Sequence, residues 1–375
     1  MRLTKHKPQA IPSLTGIRGV AALWVMLFHI GQGIPGYSLL PWLTGSSFIE
    51  NGFRGVDLFF ILSGFIMMHV HAQDFTVFRR RTLWDFMIMR CIRIYPAHLI
   101  ALLSILAVVI ASPAYVAWTR AWNLPLHTPA YTVLSFFQTA TLTTRWLVPD
   151  YGMWNGVTWS LSVELLAYTS LPVLAYLLSR TQSPALCLCV AFGSLAAMLC
   201  LLVAIGNYDG GNPNRPGLLR GFGGFAAGAA LCRFAAVAHV TNRQSQGIIL
   251  GSLAFIMVLL LVPRIAILMP FGFALLILAL AYRVGVINRL LSSRPAMFFG
   301  KISFSLYLVH VTPLLLLEWA FQAGQFPSTS VTIMTGVIGY FIVVIGLSML
   351  LHYGIERPCQ RFGHNLQKLG SREKV

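Results

Sequence analysis

Charged residues are scarce in this sequence. Asp, Glu, Lys and Arg make up only 10% of its 375 residues, whereas 57% of the residues are hydrophobic. A soluble domain usually carries about 25% charged residues, because these groups solvate its surface in water. The shortage therefore excludes an ordinary soluble globular protein, and it indicates that lipid covers most of the surface.

Acidic residues are the scarcer of the two charge types. The chain has 10 Asp and Glu against 27 Lys and Arg, which gives a formal net charge of +17. Nucleic-acid binding is one explanation of such a charge, but that function normally gathers basic residues in one patch or stripe. Here they are dispersed among short loops between apolar runs, so we expect no nucleic-acid partner.

Cysteine is also rare, with six in the whole chain. None of the spacings is typical of a zinc site, and nothing in the pattern suggests a disulfide framework. The cysteines fall within apolar runs or beside them, so we interpret them as small packing residues. The sequence therefore predicts neither a bound metal nor a disulfide-stabilised domain.

Long apolar runs are abundant instead. A membrane-spanning helix needs about 20 predominantly apolar residues. Ten runs are read as spans, and they cover residues 13–32, 54–71, 93–112, 157–178, 183–205, 217–236, 246–262, 265–282, 300–320 and 329–353. The segment 131–147 is apolar but short, so we expect it to be re-entrant or interfacial. The predicted fold is all-α, a polytopic membrane protein of about ten transmembrane helices.

The basic residues indicate how these spans are oriented. With an even number of spans both termini lie on one side, and most of the 27 Lys and Arg fall on that side. Short cytoplasmic loops are enriched in Lys and Arg, so both termini are predicted to be cytoplasmic. We expect a single membrane domain, residues 1–375, with spans within about 13–353 and a short basic cytoplasmic tail at 354–375.

Ionisable side chains inside the spans are the first candidates for chemistry. They are costly to bury in lipid and are usually functional. The predicted spans contain Arg18, His29, Asp57, Glu164, His310 and Glu318. We interpret His310 as a hydrogen-bonded structural histidine, and we expect Glu318 to face a polar interior near the far end of its span.

Arg18 and His29 lie on the first span, eleven residues apart. In an α-helix this offset returns to within about 20° of the same face and rises about 16 Å. A guanidinium near the cytoplasmic mouth suits phosphate groups, and an imidazole deeper in the membrane suits proton transfer or nucleophilic attack. An arginine that snorkels to the interface and a histidine that satisfies a neighbouring helix explain the same spacing, so both interpretations stay open.

Arg90 and Arg93 form an Arg-x-x-Arg pair just before Tyr95 and Pro96. Residues three apart share a helix face, and proline is favoured in the first turn of a helix. Both guanidiniums are therefore predicted at the cytoplasmic mouth of the third span. Such a pair can bind a diphosphate or a nucleotide phosphate in bidentate fashion. Ordinary anchoring by positive charges at the cytoplasmic face is the alternative.

Two carboxylates lie near the beginning of apolar spans. Asp57 follows a glycine that permits close helix packing, and it needs a cationic partner such as Arg54 or Arg18. Glu164 closes a Trp-Ser-Leu-Ser-Val-Glu segment, and a buried carboxylate there can orient an imidazole and stabilise its charged form. A structural ion pair that fixes helix register is the alternative for each.

Six segments together resemble the acyltransferase 3 family of ten-span membrane acyltransferases. They occur in the family's order along nearly the whole chain, at 14–22 with His29, then 55–65, 90–96, 159–164, 303–310 and 355–358. Each segment is weakly specific alone, and the ordered set is quite specific. Thr15 is a departure, because the family commonly has Asp beside the arginine at that point.

The resemblance implies an activity and residues for it. Members of the family move an acyl group, usually acetyl, from cytoplasmic acyl-CoA to a hydroxyl of a surface or lipid-linked glycan. By this resemblance, Arg18 and His29 form the central pair. Arg90 and Arg93 are associated with the acyl donor, and Glu164 belongs to the family's Trp-Ser-Leu-Ser-x-Glu block.

The expected site has a catalytic and a donor-binding part. His29 acts as general base or carries the acyl group transiently, with Glu164 and Asp57 as the other expected catalytic residues. The expected ligands of the acyl-CoA phosphates, which complete the site, are Arg18, Arg90 and Arg93. No metal is expected.

The expected enzyme is an acyl-CoA-dependent O-acyltransferase, transferring groups other than amino-acyl groups, in the plasma (inner) membrane of a bacterium. Its acceptor is expected to be a glycan or lipid-linked sugar, such as exopolysaccharide or O-antigen, and its other partners membrane lipid and polysaccharide-biosynthesis proteins. The alternatives are a proton-coupled transporter, which would use His29, Asp57 and Glu164 as a proton relay, and a glycan-export partner without acyl transfer.

Overall fold

The structure is a computed structural model, and it describes residues 9–33, 45–111, 131–144, 146, 154–206, 217–327 and 329–372. All regular structure in these ranges is helical. The helices are α1 (Pro12–Gly33), α2 (Ser47–Glu50), α3 (Gly55–His71), α4 (Arg80–Ala111), α5 (Val133–Ala140), α6 (Trp159–Tyr168), α7 (Leu171–Leu178), α8 (Pro184–Ala204), α9 (Gly217–Val237), α10 (Asn242–Leu261), α11 (Met269–Ala281), α12 (Gly285–Leu291), α13 (Arg294–Val309), α14 (Val311–Gln322), α15 (Ser330–Leu351) and α16 (Arg357–Arg372). A π-helical turn, His352–Glu356, joins α15 to α16.

The described helices include seven segments long and apolar enough to cross a membrane, or nine if each of two bent pairs forms one span. The bent pairs are α6 with α7, at 49°, and α13 with α14, at 52°. The prediction of an all-α polytopic membrane protein is thus confirmed. The remaining predicted run, 217–236, forms α9, which has span length but contains two arginines and five glycines. This composition leaves α9 outside the group of candidate spans.

Proline explains both bends. It has no backbone N–H, and its ring clashes with the carbonyl four residues earlier, so it does not continue a straight helix. Pro172 lies in the first turn of α7, directly after the first break. Pro313 lies in the first turn of α14, and the break before it falls at His310. The sequence therefore places His310 at a bend, where a helix end exposes its side chain to neighbouring helices.

The third predicted span begins earlier than the sequence pattern indicates. Helix α4 begins at Arg80, so Pro96 lies inside the helix and the prediction that it occupies the first turn is wrong. An interior proline is tolerated in membrane helices when neighbouring groups satisfy the freed carbonyl. Arg90 and Arg93 consequently lie within α4, with several turns of helix before them.

Two segments outside the predicted spans also form helices. The segment 131–147 contains α5, a helix of eight residues, and its residues 145 and 147 lie outside the described part. The tail predicted at 354–375 is helical through Arg372, and its last three residues lie outside the described part. The basic tail thus continues the last candidate span as a helix.

The chain forms two compact units, each assembled from separate stretches of sequence. The first unit is built from Met1–Ala21, Arg54–Leu83 and Leu166–Lys301, and the second unit from Ala22–Phe53, Trp84–Leu165 and Ile302–Val375. Helix α1 contributes its first half to the first unit and its second half to the second unit.

Glycines bring α3 and α9 together in the first unit. A Cβ on Gly64 would collide with the backbone carbonyl of Phe225, and one on Gly228 with the carbonyl of Ile61. Without a hydrophobic driving force between helices in lipid, such close packing by small residues stabilises their association. The two glycines therefore fix how α3 lies against α9.

Replacing Gly64 by alanine is expected to lower the stability of the folded protein by about 1–3 kcal/mol, because the added methyl group overpacks the α3–α9 contact. The matched control is Gly251→Ala on α10, where a Cβ would meet nothing within 4 Å. Thermal unfolding of the two purified variants in detergent checks this. Equal midpoints for both would show that the close contact at Gly64 does not limit stability.

Polar side chains join the helices of the second unit. Just before α6, the amide of Asn155 donates to the carbonyl of Leu308 on α13 at 3.1 Å. On α4, Nε2 of the buried His98 lies 2.9 Å from the carbonyl of Thr139. Buried hydrogen bonds of this kind fix helix positions, because an unpaired polar group in a dry interior is costly. They join α4 to α5, and the segment before α6 to α13.

Candidate active site

His29 lies near the end of α1 and is half-buried in the second unit. Its Nδ1 lies 2.9 Å from the backbone carbonyl of Val25, one turn earlier. A carbonyl oxygen only accepts hydrogen bonds, so Nδ1 must carry a proton. In the neutral ring Nε2 is then unprotonated, and its lone pair is available to a substrate.

A second histidine lies beside the first. The Nε2 atom of His310 is 3.3 Å from Nδ1 of His29, and the two ring centroids are 5.0 Å apart. His310 is 1% exposed, and its Nδ1 donates to the carbonyl of Tyr307 at 2.8 Å. The hydroxyl of Tyr340 on α15 donates to the carbonyl of His310 at 3.2 Å. These contacts fix the position of His310, and its unprotonated Nε2 faces Nδ1 of His29.

The pair has a defined direction of hydrogen bonding. The Nδ1 proton of His29 lies between the Val25 carbonyl and Nε2 of His310, and both of these groups accept. When Nε2 of His29 takes up a proton or forms a bond to carbon, the ring becomes positively charged. Two acceptors at Nδ1 then stabilise that charge more strongly than they stabilise the neutral ring, because hydrogen bonds to charged groups are the stronger ones. The arrangement suits a histidine that acts as a base or nucleophile through Nε2.

The segment that begins α6 contacts the segment that ends α13. The hydroxyl of Tyr307 donates to the carbonyl of Val157 at 2.9 Å, and it shares a hydrogen bond with Ser160 at 2.8 Å. Glu164 lies four residues after Ser160 on α6 and is half-buried. Residues four apart share a helix face, so Glu164 lies on the side of α6 that Ser160 presents to Tyr307. Both predicted segments therefore belong to one region of the second unit.

Arg90 and Arg93 both lie on α4 in the second unit, half-buried and three residues apart. The guanidinium of Arg90 lies 5.5 Å from the centroid of the Phe86 ring. Arg93 acts electrostatically on Glu356, at the π-helical turn before α16. The predicted pair is therefore on one helix face, and its second member is close to a buried carboxylate.

Glu356 has a more extensive hydrogen-bond network than the sequence predicted. It is 3% exposed, and its Oε2 accepts from Ser305 at 3.0 Å and from His352 at 2.8 Å. Its Oε1 accepts from Gln360 at 3.0 Å. A π-turn within a helix is often found at functional sites. In the sequence this carboxylate lies in the matching segment 355–358, whose pattern predicts no role for it.

The remaining predicted site residues lie in the first unit. Arg18 is half-buried on α1. Asp57 accepts a 2.7 Å hydrogen bond from Nε of Arg220, and the two side chains are almost fully buried. The structure thus gives Asp57 a partner on α9, which the sequence did not predict. Paired in this way, Asp57 links α3 to α9 at the interface where the glycines meet.

Within the described ranges, no group of three or more His, Cys, Asp and Glu side chains is arranged to hold a metal ion.

Comparison with known families gives one match, to an acyltransferase domain, the acyltransferase 3 family, over residues 11–353. That range contains both histidines and all the predicted site residues. No solved structure matches the chain.

Curated proteins similar to this chain are named O-acetyltransferases. The chain is 22% identical over 339 residues to the peptidoglycan O-acetyltransferase OatA of Listeria monocytogenes, which covers 82% of this chain and 50% of the relative. It is 28% identical over 106 residues to the O-acetyltransferase OatA of Staphylococcus aureus strain NCTC 8325, covering 28% of this chain and 15% of the relative. The matched part of the chain thus spans half or less of each relative's length.

Proposed function

Because this chain belongs to the acyltransferase 3 family, we propose that it is a membrane O-acetyltransferase that acts on a hydroxyl of a glycan. The observation that supports the proposal most strongly is the histidine pair. Nδ1 of His29 donates its proton to Val25 and His310, so Nε2 is unprotonated and can act as a base. The names of the similar proteins support acetyl as the group transferred.

The reaction that suits this geometry is acyl transfer from a thioester to an alcohol. Nε2 of His29 takes the proton of the acceptor hydroxyl, whose oxygen attacks the thioester carbonyl carbon. The carbon–sulfur bond breaks, and the thiolate leaves with the proton from His29. Alternatively, Nε2 attacks the carbonyl first and carries the acetyl group until the acceptor removes it. In both routes the positive charge on His29 faces Val25 and His310.

Acetyl-CoA is the proposed donor, and its phosphates are assigned to Arg90 and Arg93. Paired guanidiniums bind phosphate oxygens in bidentate fashion. For Arg18 we propose a role in donor binding, because it lies on the same helix as His29, eleven residues earlier. For Glu164 we propose that it orients the site and stabilises the charged imidazole. For Asp57, the pairing with Arg220 favours the structural alternative.

The proposed membrane arrangement has ten spans. Helix α9 is long enough to cross the bilayer, and counting it with the nine candidate spans gives an even number. Both termini then lie on the side richer in basic residues, the cytoplasmic side of a bacterial plasma (inner) membrane. Arginine within α9 is tolerated because Arg220 is paired with Asp57 inside the protein.

The acceptor is proposed to be a cell-surface glycan or its lipid-linked precursor. The Listeria relative is named for peptidoglycan, so peptidoglycan is tested beside exopolysaccharide and O-antigen. Purified full-length protein is incubated with labelled acetyl-CoA and each glycan in turn. We expect free CoA and labelled glycan to appear together, in equal amounts and only when the right acceptor is present. A transporter would release no CoA with any glycan, and that result would overturn the proposal.

Replacing His310 by leucine is expected to lower kcat by about 10–100-fold and to leave the KM for the donor nearly unchanged. The variant removes one acceptor from the charged form of His29, and a hydrogen bond to a charged group contributes about 1.5–3 kcal/mol. His310→Asn keeps an acceptor near Nδ1 and is expected to recover part of the loss. Steady-state kinetics of both variants provide the test. Equal kcat for leucine and asparagine would show that hydrogen bonding at this position is irrelevant.

A further inference from the structure

A cavity of about 560 Å³ lies in the first unit, and none of its described lining residues is assigned to acetyl transfer. It opens where α3, α9 and α11 end and where the chain enters α1. Phe65 and Met68 form part of its apolar wall. His69, Arg233 and Arg283 contribute its nitrogen donors. The cavity therefore combines an apolar interior with a cationic rim.

Two of these donors converge on one oxygen atom. Nη2 of Arg283 donates to the backbone carbonyl of Gln9 at 3.2 Å, and Nε2 of His69 lies 3.1 Å from the same oxygen. Nη1 of Arg283 also donates to the side-chain Oε1 of Gln9 at 3.1 Å. Gln9 is exposed and precedes α1. Its two oxygens thus occupy positions that a pair of oxygens on an anionic ligand can take.

The third nitrogen donor, Arg233, is held in place by the protein. Its Nε and Nη2 donate to the carbonyl of Thr181 at 3.0 and 2.8 Å, which leaves Nη1 available. None of the described residues that line the cavity is acidic. The nearby carboxylate of Asp74 is engaged by His71 at 3.0 Å. The cavity therefore has two permanent positive charges and no opposing negative charge in its lining.

Arg283 contacts Gln9 from the turn that ends α11. Arg283 has φ of 61°, in the left-handed region that residues other than glycine rarely adopt. A residue in this conformation commonly ends an α-helix, and Arg283 directly follows the last turn of α11. Here the conformation accompanies the contact of the guanidinium with Gln9.

We propose that this cavity binds the phosphate group of an anionic phospholipid. The phosphate oxygens replace Gln9 between His69 and Arg283, and Arg233 adds the second positive charge. The apolar wall at Phe65 receives the glycerol backbone and the first part of an acyl chain. Basic pockets between membrane helices on the cytoplasmic side suit anionic lipid headgroups, and this cavity lies at the helix ends assigned to that side above. The site is independent of the acetyl-transfer chemistry.

The test measures how lipid affects the thermal unfolding of the full-length protein in detergent. Phosphatidylglycerol is expected to raise the unfolding midpoint by about 3 °C, since a ligand that binds only the folded state stabilises it. Phosphatidylcholine at the same concentration is expected to have no such effect. The increase is expected to disappear in the Arg233→Gln, Arg283→Gln double variant.

Matched controls separate a specific site from general surface charge. The double variant Arg243→Gln, Arg294→Gln removes two exposed basic residues of the same unit that do not line the cavity, and it is expected to keep the full increase. Ala236→Leu narrows the cavity without changing charge, so it is expected to lose the increase. If the double arginine variant does not fold, Ala236→Leu alone tests whether the lipid binds in the cavity. Equal responses in Ala236→Leu and the wild type would overturn the proposal.

A soluble phosphate is distinguished in the same assay. Adenosine 3′,5′-bisphosphate, the nucleotide part of CoA, is added to the wild type in place of lipid. We expect any shift of the unfolding midpoint caused by the bisphosphate to be the same in the wild type and in the Arg233→Gln, Arg283→Gln double variant. If the bisphosphate raises the unfolding midpoint of the wild type but not that of the double variant, the cavity binds a nucleotide and the lipid assignment is wrong.

Discussion

Replacing His29 by alanine is expected to reduce acetyl transfer by about 10²–10⁴-fold, the range typical for loss of a general base. The variant removes the lone pair at Nε2, which either accepts the proton of the acceptor hydroxyl or attacks the donor carbonyl. Binding of acetyl-CoA is expected to remain within a few-fold of the wild type, because donor binding is assigned to Arg18, Arg90 and Arg93 and not to His29. Steady-state transfer of labelled acetyl and equilibrium binding of acetyl-CoA provide the two measurements.

The chain offers a well-matched control for this variant. The Nδ1 atom of His364 lies 2.7 Å from the carbonyl of Gln360, four residues earlier, in the same way that His29 contacts Val25. His364 is exposed on α16, so His364→Ala loses the same local contact without touching the site. It is expected to keep full activity. If His29→Ala folds and transfers acetyl at the wild-type rate, the proposed role of the histidine pair is wrong.

Replacing Arg90 and Arg93 together by alanine is expected to weaken acetyl-CoA binding by about 100-fold. Each hydrogen bond between a guanidinium and a phosphate is expected to contribute about 1.5–3 kcal/mol, and about 1.4 kcal/mol corresponds to a tenfold change in affinity. Because these contacts hold the unreactive end of the donor, kcat at saturating acetyl-CoA is expected to change much less than KM. Equilibrium binding and the dependence of rate on donor concentration test both statements.

The control for general electrostatic attraction is the double variant Arg79→Ala, Arg81→Ala. It removes the same charge at the beginning of α4, where both side chains are exposed. We expect its affinity for acetyl-CoA to fall by less than about threefold, since exposed charges are screened by salt. Equal losses in the two double variants would show that Arg90 and Arg93 attract the donor only as part of a basic surface.

The sequence predicted most of the helices because length and apolar character determine where a chain can cross a membrane. Its errors occurred where single residues override that pattern. Pro96 suggested a helix beginning, yet α4 continues through it. The bends before Pro172 and Pro313 were not predicted, because an apolar run shows its length but not its direction.

The site was only partly predictable from the sequence. His29 could be found because a titratable group in an apolar run is conspicuous. Its contact with His310 could not, because the two residues are 281 positions apart and meet only through the bend at α14. The pairing of Arg220 with Asp57 could not be predicted either, because it depends on the packing of α3 on α9. Glu356 lies in the polar tail, where a buried carboxylate is not expected from composition.

The central claim is that His310 acts through His29, and a double-mutant cycle tests it most directly. The kcat of acetyl transfer is measured for the wild type, His29→Gln, His310→Leu and the double variant. Residues that act as one unit lose activity non-additively. We predict that the double variant has the same kcat as His29→Gln alone, because no charged His29 remains for His310 to stabilise. Losses that multiply in the double variant would contradict the account, since His310 would then contribute independently of His29.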